Sequence, residues 1–477
     1  MTSTVTLPLW LFAILLVLAA WAAIERLLLP GARWYFRRKV NVVIREIGTR
    51  LDIELPQFKL TRRQVLIDRL FHDQKVQQAV EQEHTEKGTS RLALLRRVDR
   101  YAREIVPSFN AYLYFRIGYW LAKNVARTLY RVRLGYADAP GLAAVNPKSS
   151  IVFVMNHRSN ADYVLVAFLA AERAALSYAV GEWARIWPLQ QLIRAMGAYF
   201  VRRNSGDPLY RAVLQRYVQM ATEAGVPQAV FPEGGLTLDG KLRAPRLGLL
   251  DYMLKAFDPA GERDLVFIPV GLNYDRVLED RTLLARLDTA APRAGRLRTL
   301  AGALAFFGHN LWLMLSGRWH RFGYACVNFG HPVSMREYAA GHEVDFRALS
   351  EPERHREVER VARLLMNNIA RNIPVLPVSL VATVFLRERS AALPEIELKA
   401  EVFELVRALE ASGAHVYVPR SDLDYAVGVG LRMLTLRHLV IEQDGLFRAN
   451  PDDIAVLEYY ANAIAPLVTG TASAGAR

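Results

Sequence analysis

Apolar positions fall in three different patterns along this chain of 477 residues. Residues 7–24 form an apolar run broken only by Pro8, and no charged side chain precedes Glu25. From about Arg33 to Tyr136 the spacing turns helical. Leu92, Leu95, Val98, Ala102 and Ile105 recur at three- and four-residue intervals with Arg91, Arg96, Arg97, Arg100 and Arg103 between them. Beyond Pro147, short β-branched and aromatic runs at 151–155, 176–180, 198–201, 228–231, 265–270 and 324–329 alternate with helical stretches. From about Arg347 helical periodicity returns through Asn372, continues as the apolar stretch 375–386, and gives way to one more strand at 415–418.

Alternation of this kind implies an α/β fold, with a mixed, largely parallel sheet flanked by helices. The expected organisation is a transmembrane anchor at 1–30, a basic amphipathic helical region at 31–146, an α/β domain at 147–346, a helix-rich C-terminal unit at 347–468 and a disordered tail at 469–477. At roughly 150 residues per domain, the length predicts two or three packing units.

Eighteen apolar residues are about enough to cross a hydrocarbon layer of roughly 30 Å. The positive charges Arg33, Arg37, Arg38 and Lys39 follow that run, which places the bulk of the chain on the cytoplasmic side. A cleaved signal peptide is the competing reading, because Ala20-Trp21-Ala22 offers a small-x-small site. The basic residue expected before the apolar region is missing, however. A long core helix is the third, disfavoured by Trp10, Trp21 and Trp34, which fit interfacial anchoring. A second apolar segment, 300–315, has Gly308, His309 and Asn310 near its middle. It reads as an ordinary core helix or an interfacial element rather than a second span.

Composition adds a charge argument. Lys and Arg outnumber Asp and Glu by 61 to 47, a balance of +14 that favours an anionic partner: a phospholipid surface, a nucleic acid or a phosphorylated substrate. The basic faces of the helical region read equally as solvated surface and as contact with anionic headgroups. With Cys326 as the one cysteine, no intrachain disulfide, cysteine zinc cluster or redox pair is available.

The sharpest chemical signal is Asn156-His157-Arg158-Ser159-Asn160-Ala161-Asp162, directly after the buried run 151–155 and opening a helix. Loops at the carboxyl ends of such strands hold the ligands of α/β sheets. An imidazole there can take a proton from a hydroxyl, and Asp162, brought back by the first helical turn, can hold its other nitrogen. The bland alternative is a histidine beside a helix N-terminus with an acid in the first turn. A second block, Phe231-Pro232-Glu233-Gly234-Gly235, also follows a strand and precedes the basic Lys241, Arg243 and Arg246. Gly234 and Gly235 let the backbone approach a phosphate or a developing oxyanion, while Glu233 is suited to an acceptor hydroxyl or a neighbouring arginine. Against this stands a plain turn. Gly197-Ala198-Tyr199-Phe200-Val201-Arg202-Arg203 ends a strand in two arginines, whose planar forks suit phosphate oxygens. In 268–275 a buried strand carries Pro269 at an expected edge or end.

In this order the four blocks resemble the glycerolipid acyltransferase superfamily, and most of all its long, membrane-bound bacterial glycerol-3-phosphate 1-O-acyltransferases. The similarity takes in 156–163, 197–203, 231–235 and 268–279, continues through 327–333 and 368–386, and so covers about 156–386. It implies His157 as base with Asp162 as its partner, Arg202 or Arg203 with Glu233 and Gly234 in acceptor binding, and Pro269 shaping the acyl-donor side. The implied co-substrate is acyl-CoA or acyl carrier protein, with no metal and no bound cofactor. The implied location is the inner membrane, with a single N-terminal span and the catalytic domain in the cytoplasm. One departure stands out. Where the family has Arg-Ser-Arg-Thr-Gly after the two glycines, this chain has Leu236-Thr237-Leu238-Asp239-Gly240. Losing two charged hydrogen bonds weakens phosphate binding by roughly 10² to 10⁴. Either Lys241, Arg243 and Arg246 replace them, or the acceptor is more apolar, such as lysophosphatidic acid. Two readings of other classes remain: a catalytically silent lipid-binding membrane protein, and a nucleic-acid binder, which lacks any recognisable motif here.

Overall fold

The computed structural model describes residues 56–170, 176–181, 189–202, 205–287, 321–387 and 392–474. The expected anchor at 1–30, the apolar segment 300–315 and Arg203 lie outside them. Among the described residues no helix is long and apolar enough to cross a membrane.

After a single helical turn at Gln57–Leu60 come three helices: α1 (Arg63–Phe71), α2 (Gln74–Lys87) and α3 (Arg91–Ile105). The buried face of α3 runs through Leu94, Val98, Tyr101, Ala102 and Ile105, so Leu94 starts the apolar stripe and Leu92 is exposed. Its basic face is partly consumed inside the protein, since Arg97 pairs with Glu83 (2.9 Å) and Asp207 (2.7 Å). A π-helical turn (Leu113–Gly118) then leads into α4 (Tyr119–Leu129).

The expected helical region ends early. Arg131–Ala137 is a strand, β1, lying parallel to β7 at the sheet edge. The chain continues through β2 (Ser150–Met155), α5 (Asp162–Ala170), β3 (Ser177–Val180), β4 (Tyr199–Phe200), α6 (Pro208–Glu223), β5 (Gln228–Val230), α7 (Gly248–Leu254), β6 (Leu265–Tyr274), β7 (Tyr324–Phe329) and β8 (Val333–Ser334). Among the described residues eight strands form one sheet in the order β1-β7-β6-β2-β5-β3-β4, with β8 also on β6. Pairing is parallel except where β7 and β8 meet β6. This is the mixed, mostly parallel α/β architecture that the apolar runs predict, because strands buried on both faces read as near-continuous apolar segments.

Alternate side chains of these strands enter two cores. Val152, Val154 and Phe267 pack with α1–α3, α6, α7 and helix α8 (Glu351–Arg371). Ile268, Val270 and Leu272 pack with the C-terminal helices α9 (Pro377–Arg387), α10 (Glu395–Ala411), α11 (Leu423–Thr435) and α12 (Ile454–Ala461). The expected boundaries at 146/147 and 346/347 therefore do not separate cores. The N-terminal helices and α8 cover one face of the sheet, and the rest of the C-terminal unit covers the other.

Three further expectations are corrected. At 415–418 there is only an isolated bridge, Val375 to Val416. The C-terminal unit instead carries a small antiparallel sheet of β9 (Leu393–Pro394), β10 (Val440–Gln443) and β11 (Leu446–Ala449). Residues up to Ala474 of the expected tail continue a helix, Ala465–Ala474. Pro269 sits in the central strand β6, not at an edge. It stands where that strand changes partners on one side, from β8 up to Phe267 to β7 from Val270, a gap in the ladder where a missing N–H costs little.

Candidate active site

Strand order decides what meets at the sheet's carboxyl edge. β2 lies between β5 and β6, all three are parallel, and the chain reverses its direction of progress across the sheet here. Such switch points leave a crevice beyond the strand ends. The loops leaving β2 (156–161), β5 (231–246) and β6 (275–279) are thus neighbours, although the second and third begin about 75 and 120 residues after the first.

The loop after β2 is fixed at every residue. Asn156 imitates a peptide unit: its amide donates to the Leu272 carbonyl (2.9 Å) and accepts from the Leu272 N–H (2.8 Å), extending the β2–β6 ladder by one rung. The His157 N–H donates to Glu233 Oε1 (2.7 Å) and its carbonyl accepts from the Thr237 N–H (2.9 Å). At the start of α5, Asp162 turns back and meets the ring, with Oδ2 2.8 Å from His157 Nδ1. The same oxygen accepts from the N–H groups of Arg158 (2.8 Å) and Ser159 (3.1 Å), and Oδ1 accepts from the Tyr274 hydroxyl (2.6 Å).

A carboxylate already accepting backbone donors accepts from Nδ1 as well, so Nδ1 carries the proton and the lone pair lies on Nε2. Nε2 is buried and has no hydrogen-bond partner among the described residues. Phe231 stacks on the ring at 4.0 Å between centroids and Tyr163 meets it edge-on at 5.5 Å. With His157 only 2% exposed, access to Nε2 in this conformation is closed.

The other expected site residues divide. Glu233 is 2% exposed, and both its oxygens are taken by backbone, Oε1 by His157 N–H and Oε2 by Arg243 N–H (2.9 Å). The expected contact with an acceptor hydroxyl is therefore replaced by a pin between the two loops. Burial pushes this carboxyl up to about 7 against the pull of those two donors. Gly234 has φ +67°, and its N–H donates to the Phe231 carbonyl (3.0 Å), so it closes a turn and is not open to an anion. Gly235 is buried beside it, whereas Lys241, Arg243 and Arg246 are exposed. Arg243 folds back to the Leu236 carbonyl (3.1 Å), and the Arg246 side chain lies against Gly234. Leu236 and Leu238, standing where the resemblance has arginines, pack on the C-terminal core.

Arg202 shares the carboxyl edge but follows β4, three strands from β2, about 14 Å at ~4.8 Å per strand. Its guanidinium is held bidentately by Glu104 (2.8 and 2.6 Å) and lies over the rings of Tyr101 and Tyr210. The structure thus brings together His157, Asp162, Glu233, Gly234 and Gly235, and leaves Arg202 engaged elsewhere.

The sequence reading misses several partners. Glu279 accepts from the Ser159 hydroxyl (2.8 Å), the Asn160 N–H (3.3 Å) and the Asn160 amide (3.1 Å), bracing the middle of the histidine loop. Burial raises its carboxyl above the ordinary range, opposed by those donors. Arg158 is buried, donates to the carbonyls of Gly240 (3.1 Å) and Tyr459 (3.4 Å), and lies over the Tyr459 ring. Asn462 donates to the Asp239 carbonyl (2.9 Å), so α12 and the residue following it hold both loops. Tyr274 and Glu279 flank the end of an apolar run, a position that singles them out once β6 is known to lie beside β2. Nothing local marks Tyr459.

A buried carboxylate, an oriented imidazole and a bare Nε2 at a switch point on an α/β frame form an arrangement with the chemistry to accept a proton from a hydroxyl. The family model for acyltransferases matches residues 138–273, and that for the glycerol-3-phosphate acyltransferase C-terminal region matches 310–473. Over these two stretches the chain is similar to the acyltransferases. Among curated proteins it is 27% identical over 428 residues to a glycerol-3-phosphate acyltransferase of Pseudomonas syringae pv. tomato, covering 84% of this chain and 48% of that one. It is 28% identical over 382 residues to the enzyme of that name from Pseudomonas aeruginosa PAO1, covering 78% and 44%. The chain spans about half the length of the curated relatives it matches. A solved 1-acyl-sn-glycerophosphate acyltransferase of Thermotoga maritima aligns with 53% of this chain and 78% of its own, at 17% identity and a TM-score of 0.30.

Proposed function

We propose that this chain transfers a fatty acyl group from a thioester, acyl-CoA or acyl carrier protein, to the sn-1 hydroxyl of glycerol 3-phosphate. The observation that carries the reading is the bare Nε2 of an imidazole whose other nitrogen donates to a carboxylate that accepts from three further donors. The acceptor hydroxyl gives its proton to Nε2 as its oxygen attacks the thioester carbonyl carbon. Asp162 stabilises the imidazolium that forms. The tetrahedral adduct then collapses, the carbon–sulfur bond breaks, and the leaving thiolate takes the proton back from Nε2. The balance closes with ester and thiol as products and needs no metal or bound cofactor. In this account Glu233 and Glu279 position the loop, and the acceptor phosphate meets the basic stretch of the neighbouring loop that exposes Lys241, Arg243 and Arg246. The apolar run at 7–24 and the charges that follow it support an inner-membrane location with one N-terminal span and the catalytic domain in the cytoplasm.

A second acceptor, 1-acyl-glycerol 3-phosphate, is favoured by one observation: Leu236 and Leu238 in place of two arginines reduce the charge for a free phosphate. Membranes containing the protein, labelled palmitoyl thioester and each acceptor in turn separate the two. Acylation of glycerol 3-phosphate that is lost in His157→Ala supports the proposal. Acylation of the lyso-lipid alone transfers it to the second acceptor, and label transfer that His157→Ala leaves intact refutes both.

A further inference from the structure

The loop that leaves β6 carries an arginine whose backbone is clamped and whose head is uncommitted. The Arg276 carbonyl accepts from the Tyr130 hydroxyl (2.9 Å), and the next N–H, that of Val277, donates to the Tyr460 hydroxyl (3.0 Å). Both tyrosines are buried, so the residue is held from two sides. Its side chain is half-buried, with the guanidinium over the Phe322 ring at 4.2 Å from the centroid. Among the described residues that guanidinium donates no hydrogen bond and forms no ion pair. The acids of the same loop are all engaged elsewhere. Asp275 accepts from the N–H groups of Tyr324 (2.8 Å) and Val378 (3.2 Å), Glu279 braces the histidine loop, and Asp280 accepts from Arg437 (2.6 Å) and the Tyr460 hydroxyl. Burial, and then the neighbouring Arg437 guanidinium, hold Arg276 below the ordinary arginine value.

Taking a cation out of water without a counter-ion is costly, and the face of one ring returns only part of that cost. A ligand anion would supply the missing charge. The place is beside the proposed active site: Tyr274, whose hydroxyl holds Asp162, stands two residues earlier, and its ring lies 5.2 Å from that of Tyr130. Since β2 is flanked by β5 and β6, the exposed Lys241, Arg243 and Arg246 follow the strand on one side of His157 and Arg276 follows the strand on the other. Both thioester donors named above, acyl-CoA and acyl carrier protein, carry a phosphate on the pantetheine arm. We propose that Arg276 binds that phosphate, so that donor and acceptor approach the histidine from opposite sides of the crevice, each met by its own cation. This rests on the acyl-transfer reading. The planar guanidinium fork suits phosphate oxygens. The acceptor phosphate offers the same chemistry, but it is separated from its hydroxyl only by the glycerol carbons, whereas the link from Arg276 to the ring runs through Tyr130, Tyr274 and Asp162, on the Nδ1 side. That arrangement suits a phosphate remote from the reacting carbonyl.

The test uses the full chain in membranes, Arg276→Gln and Arg276→Lys, and palmitoyl thioesters of CoA, of phosphopantetheine and of pantetheine, which lacks the phosphate. In the parent, KM for the pantetheine thioester is expected to exceed that for the phosphopantetheine thioester by about ten- to a hundredfold, the worth of one charged hydrogen bond. In Arg276→Gln the two values converge, Arg276→Lys restores part of the difference, and KM for glycerol 3-phosphate stays within about threefold. A difference that survives in Arg276→Gln overturns the proposal. So does a rise confined to the KM for glycerol 3-phosphate, which gives the arginine to the acceptor, and so does an equal loss with every donor accompanied by a lower Tm, which makes it structural. Titration of His157→Ala with phosphopantetheine and with pantetheine repeats the comparison without turnover. A parent that transfers no acyl group therefore fails the acyl-transfer reading alone, while equal binding of the two ligands fails the phosphate contact.

Discussion

Asp162→Asn isolates the carboxylate's charge from its shape. The asparagine amide oxygen can still accept from His157 Nδ1 and the N–H groups of Arg158 and Ser159, while its NH2 donates to the Tyr274 oxygen, which accepts in place of donating. The loop therefore keeps its geometry. What is lost is the charge opposite the imidazolium. Two unit charges at the observed 2.8 Å interact by about 6 kcal/mol at an effective dielectric of ~20, and the neutral amide retains part of that as a dipole. A net loss of about 4 kcal/mol in the transition state corresponds to about 10³ in kcat. KM should change little, because a side chain wholly inside the protein touches neither substrate. Initial rates of labelled palmitoyl transfer, measured beside a thermal unfolding curve, read both quantities. A folded Asp162→Asn enzyme with kcat within about threefold of the parent would refute the reasoning, since the carboxylate would then serve only to shape the loop.

Glu233, held up to about 7 by burial, binds a proton in the folded chain over a range where the unfolded chain does not. Its contribution to stability therefore falls as pH rises from about 4.5 to about 7, by on the order of 3 kcal/mol. Glu233→Gln should remove that part of the slope from a Tm-against-pH series, and an unchanged slope would contradict it. Gly240 has φ +84°, and an added Cβ would overlap the Tyr459 carbonyl oxygen. Gly240→Ala should thus lower stability by several kcal/mol, read as a Tm loss of about 5 °C or more, and loosen the hold on Arg158. Arg202→Ala should leave KM for glycerol 3-phosphate within about threefold, because its guanidinium is already committed to Glu104, while costing about 1 to 3 kcal/mol of stability by stranding that acid. A tenfold rise in KM with unaltered Tm would place Arg202 in the acceptor site instead.

The sequence by itself determined whatever depends on near neighbours. The predicted strand at 324–329 matches β7 residue for residue, and those at 151–155 and 228–231 lie within one residue of β2 and β5, because strands buried on both faces must be apolar throughout. The meeting of His157 and Asp162 was also legible, since one helical turn after a strand brings position five back to position zero. Other local signals stood in the chain unread. Asp444-Gly445, both at positive φ, is the two-residue hairpin turn joining β10 to β11. The alternating Val132, Leu134 and Tyr136 marked β1, hidden because its arginines continue the basic pattern of the helices before it.

Only the tertiary structure could decide which strands flank β2. That choice is made by closing chain loops of about 75 to 115 residues between β2 and its neighbours β5 and β6, and no local spacing records it. From it follow Glu233 on the histidine's backbone, Tyr274 on Asp162 and Glu279 under Ser159. The longest reach, from Arg158 to Tyr459, crosses 301 residues. Such contacts are set by the one packing that fills both cores at once, and the amino-acid order encodes them only through that whole.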